Sequence, residues 1–417
     1  MIFKKKDFHP TFWVANGMEL FERLAYYGQQ IIMVVYLRNT LHFNEQEAGQ
    51  LSGLFGGLIY LLPILGGTLA DKFGYRKAFA AAFGILAIGY FLIGSVGMEM
   101  FKPIYTGLPT YWVLVIFLIF TAFGGSFIKP SVLGTIAVTS TKENRSLGYA
   151  IYYWLVNIGA AIGPTIAFFV RDSIGYQYVY VVSAISCASM FIVNLIFYKE
   201  VKDKAQEVVE SLMDKMKNLV LVLKNIKFMI FLLIFSLFWI MFWQEFVVIA
   251  LYFNDKFPDA PYEIIQSWSA AGAIITLQLV VNRLTKNIST QNAIVIGFAI
   301  SSLMFLIIGI YPSIPTIAAG IIMFAIGEMT QAPRYYEYIS DIAPKGQQAL
   351  YQGYAFLPIA IAWFIGGPIG GWMYRIFAIE LKKPEIIFFI LFGIGVSATV
   401  LMLIYNKYII VLGKTNK

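Results

Sequence analysis

A chain of 417 residues with 59% hydrophobic and only 13% charged residues, and a mean hydropathy of +0.72, is too apolar for a water-facing surface; a soluble domain carries about 25% charged residues. It reads as an integral membrane protein whose net charge of +8 sits in short loops on one side of the bilayer, not on a nucleic-acid surface. A single cysteine, Cys187, excludes an internal disulfide and a cysteine-based metal centre, and His9 and His42 lack metal-ligand spacing, so neither metal nor cofactor is expected.

In chain order, MIFKKKDF leads straight into a full-length apolar segment, so no cleavable leader is expected. Apolar runs able to cross a hydrocarbon core of roughly 30 Å fall near residues 11–37, 48–70, 78–97, 111–137, 147–170, 177–198, 227–252, 264–282, 291–311, 314–338, 348–374 and 385–407. All should be helices, because lipid offers no partner to backbone N–H and C=O groups. Lysines and arginines concentrate on one side, at the termini and in every second connection (Lys4–Lys6, Lys72, Arg76, Lys77, Lys142, Arg145, the 199–227 cluster, Arg283, Lys286, Lys345, Lys407, Lys414, Lys417), which predicts both termini on the cytoplasmic side. The one long connection, 199–226, carries Val201, Ala205, Val208, Leu212, Met216 and Leu219 at helical spacing between Lys and Glu. It reads as an amphipathic helix on the cytoplasmic face. The predicted organisation is a six-helix bundle over 1–198, this linker, and a second six-helix bundle over 227–417.

Span 1 holds Glu19, Glu22 and Arg23 within its apolar run, where a charge costs on the order of 3 kcal/mol. Such groups persist only against protein or a water-filled cavity. Glu19 and Arg23 are four apart and share a helix face, with Glu22 about a turn from Glu19. Two carboxyls competing for one guanidinium make a proton switch, since the less favoured one can take a proton; the alternative is a static ion network that holds helices together.

Between spans 2 and 3 the chain reads Gly67-Thr-Leu-Ala-Asp71-Lys-Phe-Gly74-Tyr-Arg76-Lys77. Asp71 ends a helix at the membrane surface, Gly74 permits a tight turn, and Arg76 and Lys77 hold the interface. This resembles the G-x-L-A-D-x-x-G-x-R-K signature of the major facilitator superfamily, which implies a twelve-helix all-α fold of two bundles, a substrate site near mid-membrane and alternating access, with Asp71, Arg76 and Lys77 as gating residues.

A finer resemblance follows. Glu19-x-x-Glu22-Arg23-x-x-Tyr26-Tyr27-Gly28 looks like the span 1 motif of the proton-coupled oligopeptide transporter family. The likeness continues at Tyr60 before Pro63 and Gly66-Gly67, at Ile128-Lys129-Pro130, at Tyr152-Tyr153-x-x-x-Asn157-x-Gly159, at Phe242-Trp-Gln-Glu245, and at Gly327-Glu328 with Pro333. It implies that Glu19, Glu22, Arg23, Lys129, Glu245 and Glu328 carry proton coupling. Lys129, mid-span beside Pro130, needs an acid to stay charged, and Glu328 is its partner by resemblance. The candidates to line the substrate cavity are Tyr26, Tyr27, Gln30, Tyr60, Asn157, Lys129, Glu245, Glu328 and Arg334, the bland alternative for each tyrosine being simple packing.

Two departures matter. Where peptide-transporting members have an arginine two residues after Y-Y-G, this chain has Gln30. That removes a bidentate carboxylate fork and leaves Glu245 without its usual partner. Arg334 and Glu337 stand where the family is small or apolar: Arg334 either compensates by meeting Glu245 or substrate, or pairs locally with Glu337, three residues on. The chain also lacks the two extra helices common in bacterial relatives. No nucleophile–base or metal constellation suggests an enzyme. The expected function is proton-coupled import of small peptides or similar zwitterions by a multi-pass monomer of the plasma membrane, the inner membrane if bacterial. The alternatives are a proton-coupled carrier of nitrate, an amino-acid derivative or an organic acid, favoured by Gln30, and a proton–drug antiporter, suggested by 17% aromatic residues.

Overall fold

The computed structural model describes residues 8–141, 143–201, 217, 221–344 and 347–410, which form helices joined by short connections, with no strand among them. Ten helical stretches are long and apolar enough to cross a membrane, and the pair Glu45–Leu61 and Pro63–Phe73, bent by 41°, makes an eleventh. Pro10–Asn39, with 30 residues, is about 45 Å long; its charges, not its length, set it apart from the others. In chain order the spans are therefore 1 (Pro10–Asn39), 2 (the bent pair), 3 (Tyr75–Ser95), 4 (Thr110–Thr139), 5 (Arg145–Ile174), 6 (Tyr176–Phe197), 7 (Ile226–Lys256), 8 (Tyr262–Thr285), 9 (Thr290–Ile310), 10 (Ile314–Ile342), 11 (Tyr351–Glu380) and 12 (Glu385–Tyr408). The apolar runs in the sequence locate every one of them. The protein is a multi-pass membrane protein.

Local chemistry sets the ends and breaks. Pro10 opens span 1, and the His9 ring accepts the Thr11 N–H at 3.2 Å. Span 2 restarts at Pro63. Span 4 breaks after Gly125 and restarts at Ile128, so that Pro130 falls in a first turn where its missing N–H costs little. Span 10 begins with a capping box between Ser313 and Thr316.

Contacts divide the chain into two compact units: Met1–His42 with Leu54–Leu212, and Phe43–Gly53 with Met213–Lys417. In the first, span 1 packs on spans 5 and 6, and span 3 on spans 4 and 6. In the second, span 9 packs on spans 10 and 12, and span 7 on spans 11 and 12. The first turns of span 2 belong to the second unit because glycines let backbones touch: a Cβ at Gly49 would lie 2.4 Å from the Gly367 carbonyl oxygen, and one at Gly53 2.7 Å from that of Trp363.

The aromatic residues are not confined to a belt at the interfaces. Down span 7 the rings of Phe231, Phe235, Phe238 and Trp243 pack on Tyr338, Tyr335, Phe298 and Trp363, the first two pairs tilted and the last two stacked, with centroids 4.7, 4.1, 5.1 and 4.3 Å apart. They form the core of the second unit. Most of the linker helix expected over 199–226, residues 202–216 and 218–220, lies outside the described residues. So do Lys4–Lys6, Lys142, Lys345, Lys414 and Lys417, on which the orientation partly rests.

Candidate functional site

In the first unit, Glu19, Glu22 and Arg23 are at most 4% exposed. Arg23 Nε donates to Glu22 Oε2 at 2.5 Å, and Nη2 pairs with the same oxygen. Glu19 Oε1 lies 3.3 Å from Arg23 Nε but takes no hydrogen bond. One guanidinium thus serves two carboxyls unequally: it bonds one and only attracts the other. The Arg23 guanidinium also sits 4.9 Å from the Tyr26 ring and 5.9 Å from the Tyr27 ring.

Span 5 makes room for this cluster with glycine. A Cβ at Gly159 would stand 2.5 Å from Arg23 Cβ, and one at Gly163 2.5 Å from the Leu24 carbonyl oxygen. From the other side, Ser183 and Ser186 of span 6 donate to the Ala25 and Phe21 carbonyls at 3.1 and 3.2 Å. Small residues and hydroxyl bonds are how helices lock together where no hydrophobic drive exists between them.

The other sequence-derived residues of this unit are placed as follows. Lys129 Nζ lies 4.5 Å from the centre of the Tyr60 ring. Asn157 is buried and donates back to the Tyr153 carbonyl of its own helix at 2.9 Å. Gln30 is 1% exposed; its Oε1 is 3.5 Å from Gln29 Nε2, while Gln30 Nε2 and Gln29 Oε1 have no partner among the described residues. These two buried amides occupy the region where the resemblance leads one to expect a guanidinium.

In the second unit, Glu245 opens a π-helical turn, Glu245–Ile249, in which the Ile249 N–H reaches back five residues to the Gln244 carbonyl at 2.9 Å. Glu245 is 1% exposed, and its Oε2 accepts Gln266 Nε2 at 2.9 Å. Arg334 does not compensate for the absent arginine by meeting Glu245. It pairs with Glu337 at 2.9 Å, a partly exposed contact one turn along the same helix. Glu328 is half-buried on span 10 and makes no hydrogen bond or ion pair among the described residues.

The signature after span 2 lines a cleft of about 800 Å³ with Asp71, Lys72, Arg76, Lys77 and Glu200. Gly74 is at φ +90°, the left-handed region that its missing side chain permits. Glu200, just past span 6, was not singled out from sequence, yet its carboxylate accepts the Tyr75 and Arg76 N–H groups at 3.0 and 2.8 Å. Arg76 donates to the Leu195 carbonyl at 2.7 Å, and Asn194 donates to the Arg76 carbonyl at 3.0 Å. The signature is thus tied to the end of span 6. Glu200→Ala should raise hydrogen exchange at the Tyr75 and Arg76 amides roughly fivefold, as loss of a helix cap does; mass spectrometry of the exchanged peptide checks this.

Comparison with known proteins agrees with this architecture. The Major Facilitator Superfamily profile matches residues 18–276, more than half of the chain. Dipeptide and tripeptide permease B of Aliivibrio fischeri (strain MJ11) is 28% identical over 206 residues, 48% of this chain and 37% of the permease; the chain spans less than half the length of the curated permeases it matches. A POT family transporter solved in complex with 5-aminolevulinic acid superposes with a TM-score of 0.75 at 19% identity, covering 95% of this chain and 96% of that one. The nucleoside transporter NupG gives 0.77 at 15% identity, covering 95% and 100%. The likeness to peptide permeases drawn from the motifs of spans 1, 2, 4, 5, 7 and 10 is borne out, and at these identities the solved structures establish the fold. By its profile match and its fold, the chain belongs to the Major Facilitator Superfamily.

Proposed function

We propose that the protein is a proton-coupled secondary transporter that imports small peptides or similar zwitterionic solutes by alternating access of two six-helix bundles, 1–198 and 227–417, joined by a cytoplasmic linker. The observation that carries this is the span 1 cluster: two carboxyls on one guanidinium, all withdrawn from solvent. A static network of that kind costs desolvation without adding much stability over apolar packing. A network that exchanges a proton uses the imbalance.

Glu19, Glu22 and Arg23 then form the proton switch, and Glu245 and Glu328 are the acids of the second bundle. Lys129 and Glu328 engage in one state and part when Glu328 is protonated. Tyr26, Tyr27, Gln30, Tyr60 and Asn157 line the substrate path, and Asp71, Arg76 and Lys77 gate its inner end. Each proton entering down 100 mV supplies about 2.3 kcal/mol, enough for roughly fiftyfold accumulation. The protein works as a monomer in the plasma membrane, the inner membrane of a bacterium, with both termini inside.

A second reading, a proton-coupled carrier of a non-peptide solute such as an amino-acid derivative, an organic acid or nitrate, is favoured by the paired amides of Gln29 and Gln30. A solved relative that binds 5-aminolevulinic acid supports it. The drug-antiporter alternative loses ground because many of the rings that suggested a greasy pocket pack against one another. Uptake into liposomes under an imposed pH gradient, with a library of di- and tripeptides beside single amino-acid derivatives and organic acids, tests the choice. Peptide-driven proton entry supports the first reading. A response to the other solutes alone supports the second, and no response to any rejects both.

A further inference from the structure

Glu245 is held at two points by one face of span 8. Gln266 Nε2 donates to its carboxyl at 2.9 Å, and the Tyr262 hydroxyl, four residues earlier on that face, donates to its main-chain carbonyl. All three residues are at most 6% exposed. Among the described residues Glu245 forms no ion pair. The titratable groups that bear on it within its unit are Tyr262 of span 8 and Glu328 of span 10; span 11 contributes none between 357 and 373. No basic side chain of the unit is among them, since Arg334 is engaged with Glu337.

We infer that Gln266 is the positioning residue for Glu245, taking over the task for which the resemblance implies a span 1 arginine, and that it fixes the carboxyl in both of its protonation states. The chemistry differs from that of a guanidinium, which offers only donors, bonds the carboxylate best and cannot accept the O–H of the protonated acid. A primary amide has both a donor and an acceptor. Its N–H bonds the carboxylate, and its Oε1 can accept from the acid O–H once the proton has arrived. The neutral partner lets Glu245 gain and lose a proton without breaking an ion pair, while Tyr262 keeps the π-turn from rotating the side chain away. This rests on the proposed transport function for its purpose, but its geometry can be tested without any solute.

The test uses the full chain purified in detergent and, in parallel, reconstituted in liposomes. Infrared difference spectra between acid and alkaline pH locate the Glu245 carboxyl band as the one lost in Glu245→Gln. In Gln266→Leu that band should shift in frequency, and in Arg334→Ala it should stay. Gradient-driven uptake by Gln266→Leu should fall about tenfold, the equivalent of one lost hydrogen bond to a charged group, while solute counterflow, which needs no net proton movement, stays within about twofold. If Gln266→Leu does not fold, Tyr262→Phe, which deletes only a hydroxyl, should shift the same band. An unmoved band in the folded variant, a band that moves with Arg334→Ala instead, or equal losses of driven uptake and counterflow would each overturn the inference. Absence of solute uptake by the unaltered protein would reject the transport reading alone, and the infrared result would still decide the role of Gln266.

Discussion

Arg23→Ala should be the most damaging single substitution in the protein. It strands two carboxyls, Glu19 and Glu22, that are 0% and 1% exposed and have the Arg23 guanidinium as their cation. Breaking a buried pair by removing one partner costs about 3–5 kcal/mol, a large part of the stability of most domains. Thermal unfolding in detergent should show a large drop for Arg23→Ala. The triple variant Glu19→Gln, Glu22→Gln, Arg23→Gln should regain most of it, because no uncompensated charge remains. Arg23→Lys should keep the charge and much of the stability while losing the forked geometry that reaches both acids. If the triple variant were as unstable as Arg23→Ala, packing of the Arg23 stem, not charge, would be what holds spans 1 and 5 together.

The second large effect comes from a residue with no side chain. Gly159→Leu should displace Arg23, since even a Cβ at that position would meet Arg23 Cβ at 2.5 Å. Overpacking of this kind typically costs about 1–3 kcal/mol, and here it also shifts the guanidinium off its two acids. Thermal unfolding should fall and gradient-driven uptake should be lost together. Gly17→Ala is the control on span 1, where nothing lies within 4 Å of the added Cβ. Replacing a helical glycine there should leave stability unchanged or raise it by up to about 1 kcal/mol. If Gly159→Leu proved as benign as Gly17→Ala, the close seating of span 1 on span 5 would be wrong.

Much of this was legible from the sequence because a bilayer forces it. Lipid leaves a spanning chain no choice but helix, so apolar length located ten spans and the bent pair, while Pro10–Asn39 stands apart by its charges. The cost of charge at depth picked out Glu19, Glu22 and Arg23. Glycine at 74 signalled the turn that φ +90° then showed. The residues that went unseen act through packing partners distant in the chain. Gln266 is an unremarked amide in Tyr-Glu-Ile-Ile-Gln-Ser until Glu245, 21 residues away, is found against it. Glu200 looked like an ordinary residue at the start of a polar linker, yet it caps a helix more than 120 residues earlier. Gly49 and Gly367 are ordinary small residues in apolar runs, and only their contact reveals that the start of span 2 is seated on span 11. Arg334 admitted both a local partner, Glu337, which the three-residue spacing favours slightly, and a remote one, and the local pair is the one formed.

Solute accumulation against an imposed proton gradient, compared between the unaltered chain and the double variant Glu22→Gln, Glu328→Gln in liposomes, probes the core of the account most directly. Neither substitution removes volume, and neither residue can then exchange a proton. The account predicts that uphill accumulation collapses in the double variant while downhill exchange of solute persists. Full uphill accumulation by that variant would contradict it, and the buried charges of span 1 would then serve only to hold helices in place.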